Sequence, residues 1–371
     1  MADQTQIEWT DATWNIITGC SVVSPGCTNC YAMKLAGTRL QHHPSRAGLT
    51  TASKAGPVWN GQVRFNAEWL TQPLRWTKPR MIFVCAHGDL FHEGVPDDWL
   101  DQIFAVMALC DQHTFQVLTK RPERMLAYLA DPGRRRAAMD AVEAVKPLRL
   151  YGQRSVCLAD QRRTREKWEA ARESLSGCFL PNVWLGVSVE DQARADERIP
   201  ILLDTAAAVR WISAEPLLGP IDLTDVAIDL PECRQRNRTI NALEAGEAAA
   251  TRALNSPDWS PDGPQPFPAP TALDWVVAGG ESGPGARPLH PDWARQLRDQ
   301  CAEAGVPFLF KQWGDWMPVT VEGDPEWDTI DEGIDPARAQ ALSPRETCLL
   351  YSDGRRQEDK GLAFQTADPR Q

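Results

Sequence analysis

Short apolar runs recur along the chain, and each run ends at glycine or polar residues. Seven of them have the length and composition of strands: WNIIT (14–18), MIFVCA (81–86), FQVLT (115–119), VWLGVSV (183–189), VRWISA (209–214), DWVVAGG (274–280) and PFLFKQW (307–313). Continuous apolar runs are typical of strands that are buried on both faces of a parallel sheet. The pattern therefore predicts a parallel sheet.

Helical patterns separate several of these runs. DDWLDQIFAVMALCDQ (97–112) has apolar residues at helical spacing, and HPDWARQLRDQCAEAG (290–305) begins near a proline and stops at a glycine. This alternation of strands and helices predicts an α/β fold built on a parallel (βα) barrel or partial barrel.

Three segments interrupt the alternation. Residues 34–79 are rich in proline, glycine and tryptophan and suggest a lid, residues 124–178 are helix-prone and basic, and residues 228–273 end in the proline-rich SPDWSPDGPQPFPAP. We expect one domain over residues 1–320 with these helical and proline-rich insertions, followed by an acidic and polar extension over residues 321–371.

Composition and charge narrow the classes of function. The chain has 371 residues, of which 43% are hydrophobic and 24% are charged, as in a globular protein with a sizeable core. Its formal net charge of -11 argues against nonspecific coating of DNA or of an anionic membrane. Nucleic-acid contact would have to be local, and the basic segment 134–172 could provide it. The start of the chain has no basic leader or long apolar core, which predicts a cytoplasmic protein without a membrane span.

The most specific indication of chemistry in the sequence is a cluster of three cysteines. Ten cysteines in a chain of this kind should stay reduced, so clustered ones are candidate ligands. Cys20, Cys27 and Cys30 lie in GCSVVSPGCTNCYA, directly after the first predicted strand. A structural zinc ion requires four ligands, whereas an iron–sulfur cluster on three cysteines keeps one iron open for a small molecule. The triad therefore favours an iron–sulfur cluster.

Other interpretations of the triad stay open. A zinc site completed by His42, His43 or His87 fits the frequent use of Cys-x-x-Cys pairs in zinc binding. A redox-active Cys-x-x-Cys is disfavoured, because Cys20 lies upstream and no thioredoxin-like context surrounds the pair. A metal-dependent hydrolase is disfavoured because no ligand spacing such as H-E-x-x-H occurs.

Five motifs stand out over most of residues 7–316. They are W-T-D-A-T-W-N-x-x-T-G-C, S-P-G-C-x-x-C-Y-A, S-A-E-P-L-L-G-P (213–220), G-G-E-S-G-P-G-A-R-P (279–288) and A-G-V-P-F-L-F-K-Q-W-G (304–314). Together they resemble a phage-associated three-cysteine-motif family of unknown function. That family is similar to the radical SAM superfamily and distantly similar to spore photoproduct lyase.

The resemblance implies a radical-SAM-type barrel with a 4Fe-4S cluster on the three cysteines. The open iron would chelate S-adenosylmethionine, and an external electron donor would drive its cleavage to a radical that acts on nucleic acid or on a partner protein. The sequence departs from the superfamily pattern in that six residues separate Cys20 from Cys27, more than is usual. The alternative function is an iron–sulfur or zinc protein that binds nucleic acid or a partner without turnover of S-adenosylmethionine.

Polar residues at the strand ends form the remaining candidate site. The carboxyl ends of parallel strands meet at one rim, so we expect these residues to lie near the triad. The candidates for cofactor binding are Asp89, Lys120, Ser188, Glu190, Glu215, Gly279, Gly280 and Glu281. Under the resemblance, Glu215 or Glu281 could hold the amino group of S-adenosylmethionine, and the glycines would permit close approach of a ligand. Lys311, which is flanked by aromatic residues, is the candidate catalytic residue. It could contact a carboxylate or phosphate, or act as a base with a lowered pKa in an apolar setting, and the alternative is a lysine that merely reaches solvent.

Overall fold

The structure is a computed structural model that describes residues 5, 7–150, 169, 180–228, 238–245, 271–319, 347–350, 356–359 and 363–366. In chain order its strands are β1 (Ala12–Trp14), β2 (Ile17–Thr18), β3 (Thr50–Ser53), β4 (Gly56–Trp59), β5 (Arg64–Phe65), β6 (Met81–Val84), β7 (Thr114–Thr119), β8 (Val183–Ser188), β9 (Val209–Ala214), β10 (Val226–Ile228), β11 (Arg238–Ile240), β12 (Trp275–Gly279), β13 (Phe308–Gln312), β14 (Trp316–Val319), β15 (Thr347–Leu350), β16 (Arg356–Asp359) and β17 (Ala363–Thr366). The α-helices are α1 (Tyr31–Gly37), α2 (Asp97–Leu109), α3 (Pro122–Ala130), α4 (Pro132–Leu150), α5 (Gln192–Asp204) and α6 (Pro291–Ala304).

Seven strands form one all-parallel sheet in the order β1-β6-β7-β8-β9-β12-β13. The sheet is curled into a half-barrel, and helices are interleaved between its strands. Six of the seven apolar runs each contribute one strand to this sheet, and the first run contributes Trp14 at the end of β1. This confirms the predicted α/β partial barrel. All carboxyl ends of the parallel strands consequently face the same edge of the sheet.

The first apolar run differs from its predicted extent. Its sheet strand, β1, ends at Trp14, and β2 leaves the sheet to pair antiparallel with β5 in the first insertion. Between the two strands, Asn66 Nδ2 donates to the carbonyls of Asn15 and Ile16 at 2.9 and 3.3 Å. These hydrogen bonds replace ladder bonds where the chain turns out of the sheet.

Both helices with a clear sequence pattern are present, as α2 and α6. At the start of α6, His290 Nδ1 accepts a hydrogen bond from the Asp292 amide at 3.2 Å. The helix ends at Gly305, whose φ of 70° is the left-handed conformation that glycine adopts without strain. In the described part of the chain, no helix has the length and apolarity that a bilayer crossing requires.

The insertions add structure around the sheet. Residues 34–79 complete α1 and add the β3–β4 hairpin and β5. Residues 124–178 include most of α3 and all of α4, and residues 228–273 include β11, which pairs antiparallel with β10. In the extension 321–371, β17 pairs antiparallel with β14, and β15 with β16. Most of the remaining residues of the segments 124–178, 228–273 and 321–371 lie outside the described residues.

The two faces of the sheet are packed differently. One face carries aliphatic side chains of a large core that also includes buried residues of α2, α5 and α6. On the other face, the Trp211 and Trp275 rings stack with centroids 5.2 Å apart, and Trp9 lies edge-on to both. Gly186 makes room for this cluster, because a Cβ there would lie 2.6 Å from the Trp211 ring. The middle of this face is filled by aromatic rings, and polar side chains lie beyond it at the strand ends.

Candidate functional site

The cysteine triad lies in the loop that joins β2 to α1. Gly19 opens the loop with a φ of 95°, which favours glycine. A 3-10 turn follows over Pro25–Cys27, and Cys30 immediately precedes α1. All three cysteines are free thiols, with Cys27 buried and both Cys20 and Cys30 partly exposed. The three cysteines thus lie in one loop at the edge of the sheet.

Burial makes two of the thiols weak acids. It raises the pKa of Cys20 to about 12, and Asp89 adds to the rise. Burial also raises the pKa of Cys30, whose amide donates to the Cys27 carbonyl at 3.3 Å. Bound metal would have to displace protons from these thiols.

The donor chemistry of the triad fits a metal centre, although no single-ion site is preformed. Among the residues that the structure describes, no three His, Cys, Asp or Glu side chains are grouped to hold one metal ion. His42 and His43, two of the histidines considered for zinc, are exposed, and His43 Nδ1 lies 2.6 Å from Ser45 Oγ. The ring of His87 packs edge-on against Tyr31, with centroids 5.7 Å apart. None of the three histidines completes a four-ligand site with the triad.

Asp89 organises the rim beside the triad loop. This carboxylate is 5% exposed and lies just beyond β6. One oxygen accepts from Thr119 Oγ1 at 2.7 Å and from the Phe91 amide at 3.0 Å. The other accepts from the Lys120 amide at 3.1 Å and from Arg121 Nη1 at 2.8 Å. Asp89 therefore fastens the carboxyl ends of β6 and β7 to each other.

Arg121 connects this carboxylate to the triad loop. Its Nη1 atom lies 3.6 Å from Cys20 Sγ, and its Nη2 atom donates to Ser21 Oγ at 2.7 Å. Its Nε atom donates to both oxygens of Glu93 at 2.9 Å. A guanidinium that touches a cysteine sulfur would stabilise negative charge on that sulfur.

Glu190 holds the middle of the same loop. It is 0% exposed, its carboxylate forms an ion pair with Lys120, and it accepts from Ser24 Oγ at 2.7 Å. Arg198 Nη1 lies 3.3 Å from its second oxygen. Burial would raise the pKa of Glu190, but the charges of Lys120 and Arg198 lower it below its ordinary value. At Gly26, a Cβ would lie 2.5 Å from this carboxylate, so the loop and Glu190 are in direct contact.

Glu281 holds the far end of the loop. Arg287 donates to it through Nε at 2.9 Å and through Nη2 at 2.6 Å, and Asn29 Nδ2 donates at 2.9 Å. Arg287 Nη2 also donates to the Pro25 carbonyl at 3.0 Å. Burial would raise the pKa of Glu281, yet these hydrogen bonds lower it below 4.5. The G-G-E motif and the cysteine loop are thereby joined.

Glu215 and Lys311 form a separate pair along the rim. Lys311 Nζ lies 2.9 Å from Glu215 Oε1, and Ser213 Oγ donates to Oε2 at 3.2 Å. A Cβ at Gly279 would lie 2.7 Å from the same carboxylate. The setting of Lys311 is therefore polar, in contrast to the apolar surroundings that its sequence neighbours suggest.

The other two rim candidates are explained by packing within the chain. A Cβ at Gly280 would lie 1.8 Å from the Trp313 carbonyl, so the close approach that glycine permits there is to the chain's own backbone. Ser188 pairs in register with Ser213, and its carbonyl accepts from Arg198 Nη1 at 2.7 Å. Among the described residues, Ser188 makes no side-chain hydrogen bond to the triad loop, and Gly280 has no side chain that could make one.

Sequence reasoning missed two side chains that complete the site, Asn29 and Arg287. Asn29 lies within the cysteine loop, and Arg287 lies in G-G-E-S-G-P-G-A-R-P. The sequence of each motif points to its cysteines or its glutamate, and not to these two residues. Their pairing with Glu281 joins residues that are more than 250 positions apart in the chain. Spacing within either motif does not reveal such a contact.

Exposed apolar residues lie next to the cysteines in the sequence of the loop. The exposed large hydrophobic residues of the described part of the chain are Val22 at 47%, Val23 at 42% and Tyr31 at 50%. All three lie within the cysteine loop or directly after it.

The basic segment 134–172, the candidate for nucleic-acid contact, is described only in part. Arg134 forms ion pairs with Asp97, Asp101 and Asp131. The stretch that contains Arg162, Arg163, Arg165 and Lys167 lies outside the described residues.

A family model described as "Protein of unknown function (DUF5131)" matches residues 4–361 of the chain. The matched range includes the triad loop and all the rim residues. No curated protein and no solved structure matches the chain.

The Asp89–Arg121 pair should be important for stability. In Arg121→Met, Asp89 would remain buried without its cation, and we expect a loss of about 3–5 kcal/mol in the free energy of unfolding. Urea titration measures this loss. Arg298→Met is the control, since Arg298 is 42% exposed and its ion pair is at the surface, where about 0.5 kcal/mol is expected. Equal losses in the two variants would contradict the assigned role.

Glu281 should make stability depend on pH in the acid range. Its pKa in the folded chain is lowered from 4.5, so its contribution is fully present above that pH and is lost as the pH falls through the lowered value. Glu281→Gln should cost about 1.5–3 kcal/mol at neutral pH and less below pH 4. Thermal unfolding across this range tests it, with the exposed Glu303→Gln as control. If Glu281→Gln lowered the free energy of unfolding by the same amount at every pH, the assigned contribution of the Glu281 carboxylate would be wrong.

Proposed function

The chain belongs to the DUF5131 family of proteins of unknown function, and we propose that it is a radical-SAM-like iron–sulfur enzyme. The family match carries no activity, and the chemistry is our proposal. The proposed cluster is a 4Fe-4S cluster with Cys20, Cys27 and Cys30 as its ligands. Its substrate is nucleic acid or a partner protein.

One observation carries the proposal. The triad loop lies at the carboxyl edge of an all-parallel half-barrel and is held there by three separate polar contacts, from Arg121, Glu190 and Arg287. The carboxyl edge is where parallel barrels place their reactive groups. Thiols without a catalytic or ligand role would not require a loop fastened by buried charges.

The residues of this chain have distinct roles in the proposal. The three cysteines hold the cluster, and the Arg121 guanidinium, 3.6 Å from Cys20 Sγ, stabilises negative charge on that ligand. When bound, such a cluster supplies one-electron reductive cleavage of S-adenosylmethionine, with electrons from an external donor. Asp89 keeps Arg121 oriented, because the two side chains form a buried ion pair at 2.8 Å.

Glu215 is the better of the two carboxylates proposed for the amino group of S-adenosylmethionine. Both oxygens of Glu281 already accept from Arg287, and Asn29 adds a further hydrogen bond. Glu215 has Lys311 and Ser213 as partners, and its side chain is 14% exposed. A ligand ammonium could take the place of Lys311 Nζ, which would free Lys311 to hold or move a proton at the substrate.

The surface around the triad supports a macromolecular substrate. Val22, Val23 and Tyr31 expose apolar area next to the cysteines, and exposed apolar groups of this kind often mark contact sites. Partner-protein and nucleic-acid substrates both offer apolar or aromatic groups to such a surface.

The second candidate function is a cluster or zinc protein that binds a partner without turnover. The observation that favours it is the state of the rim carboxylates: Asp89, Glu190 and Glu281 are already neutralised by cations of the chain. Few carboxylates of such a rim are then available to bind the amino group of a cofactor.

Ligand substitutions test the metal centre directly. After anaerobic reconstitution, Cys20→Ala, Cys27→Ala and Cys30→Ala should each lose most of the iron and acid-labile sulfide, because three thiolates are needed to hold the cluster. Cys110→Ala and Cys301→Ala are matched controls, since both are buried core thiols and should keep wild-type iron. Equal iron content in all five variants would overturn the assignment.

The same preparations separate the two functions. Reduced wild-type protein with S-adenosylmethionine should form 5′-deoxyadenosine, and the triad variants should not. Bound iron and sulfide without this product would favour the second candidate, and stoichiometric zinc without iron would favour its zinc form.

A further inference from the structure

Arg46 is a buried cation without a counter-charge. It lies in the first insertion and is 5% exposed. In the described part of the chain, no carboxylate lies within ion-pair distance of it, and its one hydrogen bond from the guanidinium runs from Nη1 to Ser45 Oγ at 2.5 Å. The Nε atom is buried without a partner. The edge of the guanidinium formed by Nε and Nη2 is therefore unused.

The other buried arginines of the described residues each pair with a carboxylate, unlike Arg46. Arg121 is 4% exposed and pairs with Asp89 and Glu93, and Arg198 is 1% exposed and pairs with Glu190. A buried charge is costly unless it is paired, so proteins rarely bury one without a partner. Burial lowers the pKa of Arg46 only to about 10, so the side chain stays charged at neutral pH. In the described part of the chain, the buried positive charge of Arg46 therefore has no carboxylate that neutralises it.

His87 adds a second unused polar atom close to Arg46. Its Nδ1 atom is buried without a partner, while its backbone amide donates to Asn15 Oδ1 at 3.0 Å. The Gly19 amide donates to the His87 carbonyl at 3.1 Å, and Thr18 Oγ1 donates to the Ser45 carbonyl at 2.6 Å, so the segments that carry His87 and Arg46 are held against neighbouring residues. Burial lowers the pKa of His87 to about 4, and the charge of Arg46 contributes to this effect. The imidazole is therefore neutral at neutral pH and can donate one N–H to an acceptor.

The segment that holds Arg46 is itself firmly attached. The Ser45 carbonyl accepts from Thr18 Oγ1 at 2.6 Å, and Arg64 donates to the carbonyls of Pro44 and Ala47 at 2.5 and 2.7 Å. These bonds fix the backbone on both sides of Arg46. The unused guanidinium edge thus results from a defined local structure.

We infer that Arg46 and His87 form a binding site for a compact oxyanion, which is a phosphate or carboxylate group of a ligand. The Nε–Nη2 edge of a guanidinium offers two parallel N–H donors that match two oxygens of such a group. His87 supplies a further donor without adding charge. The bound group would neutralise Arg46 and satisfy both unpartnered atoms. This site does not depend on the cluster proposed above.

Anion-dependent stability tests the inference in the full-length protein. Thermal unfolding is followed while inorganic phosphate, acetate or chloride is added at constant ionic strength. We expect a saturable rise in Tm with phosphate, with acetate or with both, and no saturable rise with chloride. A response to phosphate alone assigns a phosphate group, and a response to acetate alone assigns a carboxylate. Absence of any saturable response to both oxyanions would overturn the inference.

Three variants locate the effect. Arg46→Met should weaken the apparent anion affinity at least ~10-fold and should unfold no earlier than wild type in chloride, because it removes an unpaired buried charge. His87→Ala should also weaken the affinity. Arg75→Met is the matched control: it changes an exposed arginine of the same insertion, whose Nη2 atom donates to Thr71 Oγ1 at 3.4 Å, and it should keep the wild-type response. An unchanged response in Arg46→Met, or an equal loss in Arg75→Met, would contradict the site.

Discussion

The ion pair between Asp89 and Arg121 is the interaction on which the rim of this protein depends. Parallel strands bring their carboxyl ends to one edge, so polar residues from distant parts of the chain are buried together there. A buried carboxylate in that position requires a cation and several hydrogen bonds. Asp89 obtains them from the end of β7, and Arg121 extends the same network to Cys20 and Ser21.

The cysteine loop is positioned by hydrogen bonds to charged side chains along its length. Arg121 donates to Ser21 near its start. Glu190 accepts from Ser24 and Arg287 donates to the Pro25 carbonyl in its middle, and Glu281 accepts from Asn29 near its end. These contacts come from the ends of different strands or from the loops that follow them. Backbone hydrogen bonds within residues 24–30 add to these contacts, as in the bond from the Cys30 amide to the Cys27 carbonyl at 3.3 Å. The three thiols are consequently held at the edge of the half-barrel.

Much of the fold was predictable from sequence, because each strand of the sheet is a continuous apolar run and each clear helix has helical spacing. The seven runs and the helices α2 and α6 follow from that local signal. The exit of the first run from the sheet was not predictable, since it depends on Asn66, about fifty residues away. The triad and the strand-end acids could be named as candidates, but the partners of Glu281 and the unpaired state of Arg46 depend on tertiary contacts that no spacing encodes.

We propose that the triad holds a cluster with one iron open to S-adenosylmethionine. The decisive measurement is electron paramagnetic resonance of the reconstituted, reduced protein, with spectra recorded before and after S-adenosylmethionine is added. We expect the signal of a reduced 4Fe-4S cluster in the first spectrum and a changed signal in the second, because the ligand would bind the open iron. A cluster signal that S-adenosylmethionine leaves unchanged, or a protein with zinc and no cluster signal, would contradict it.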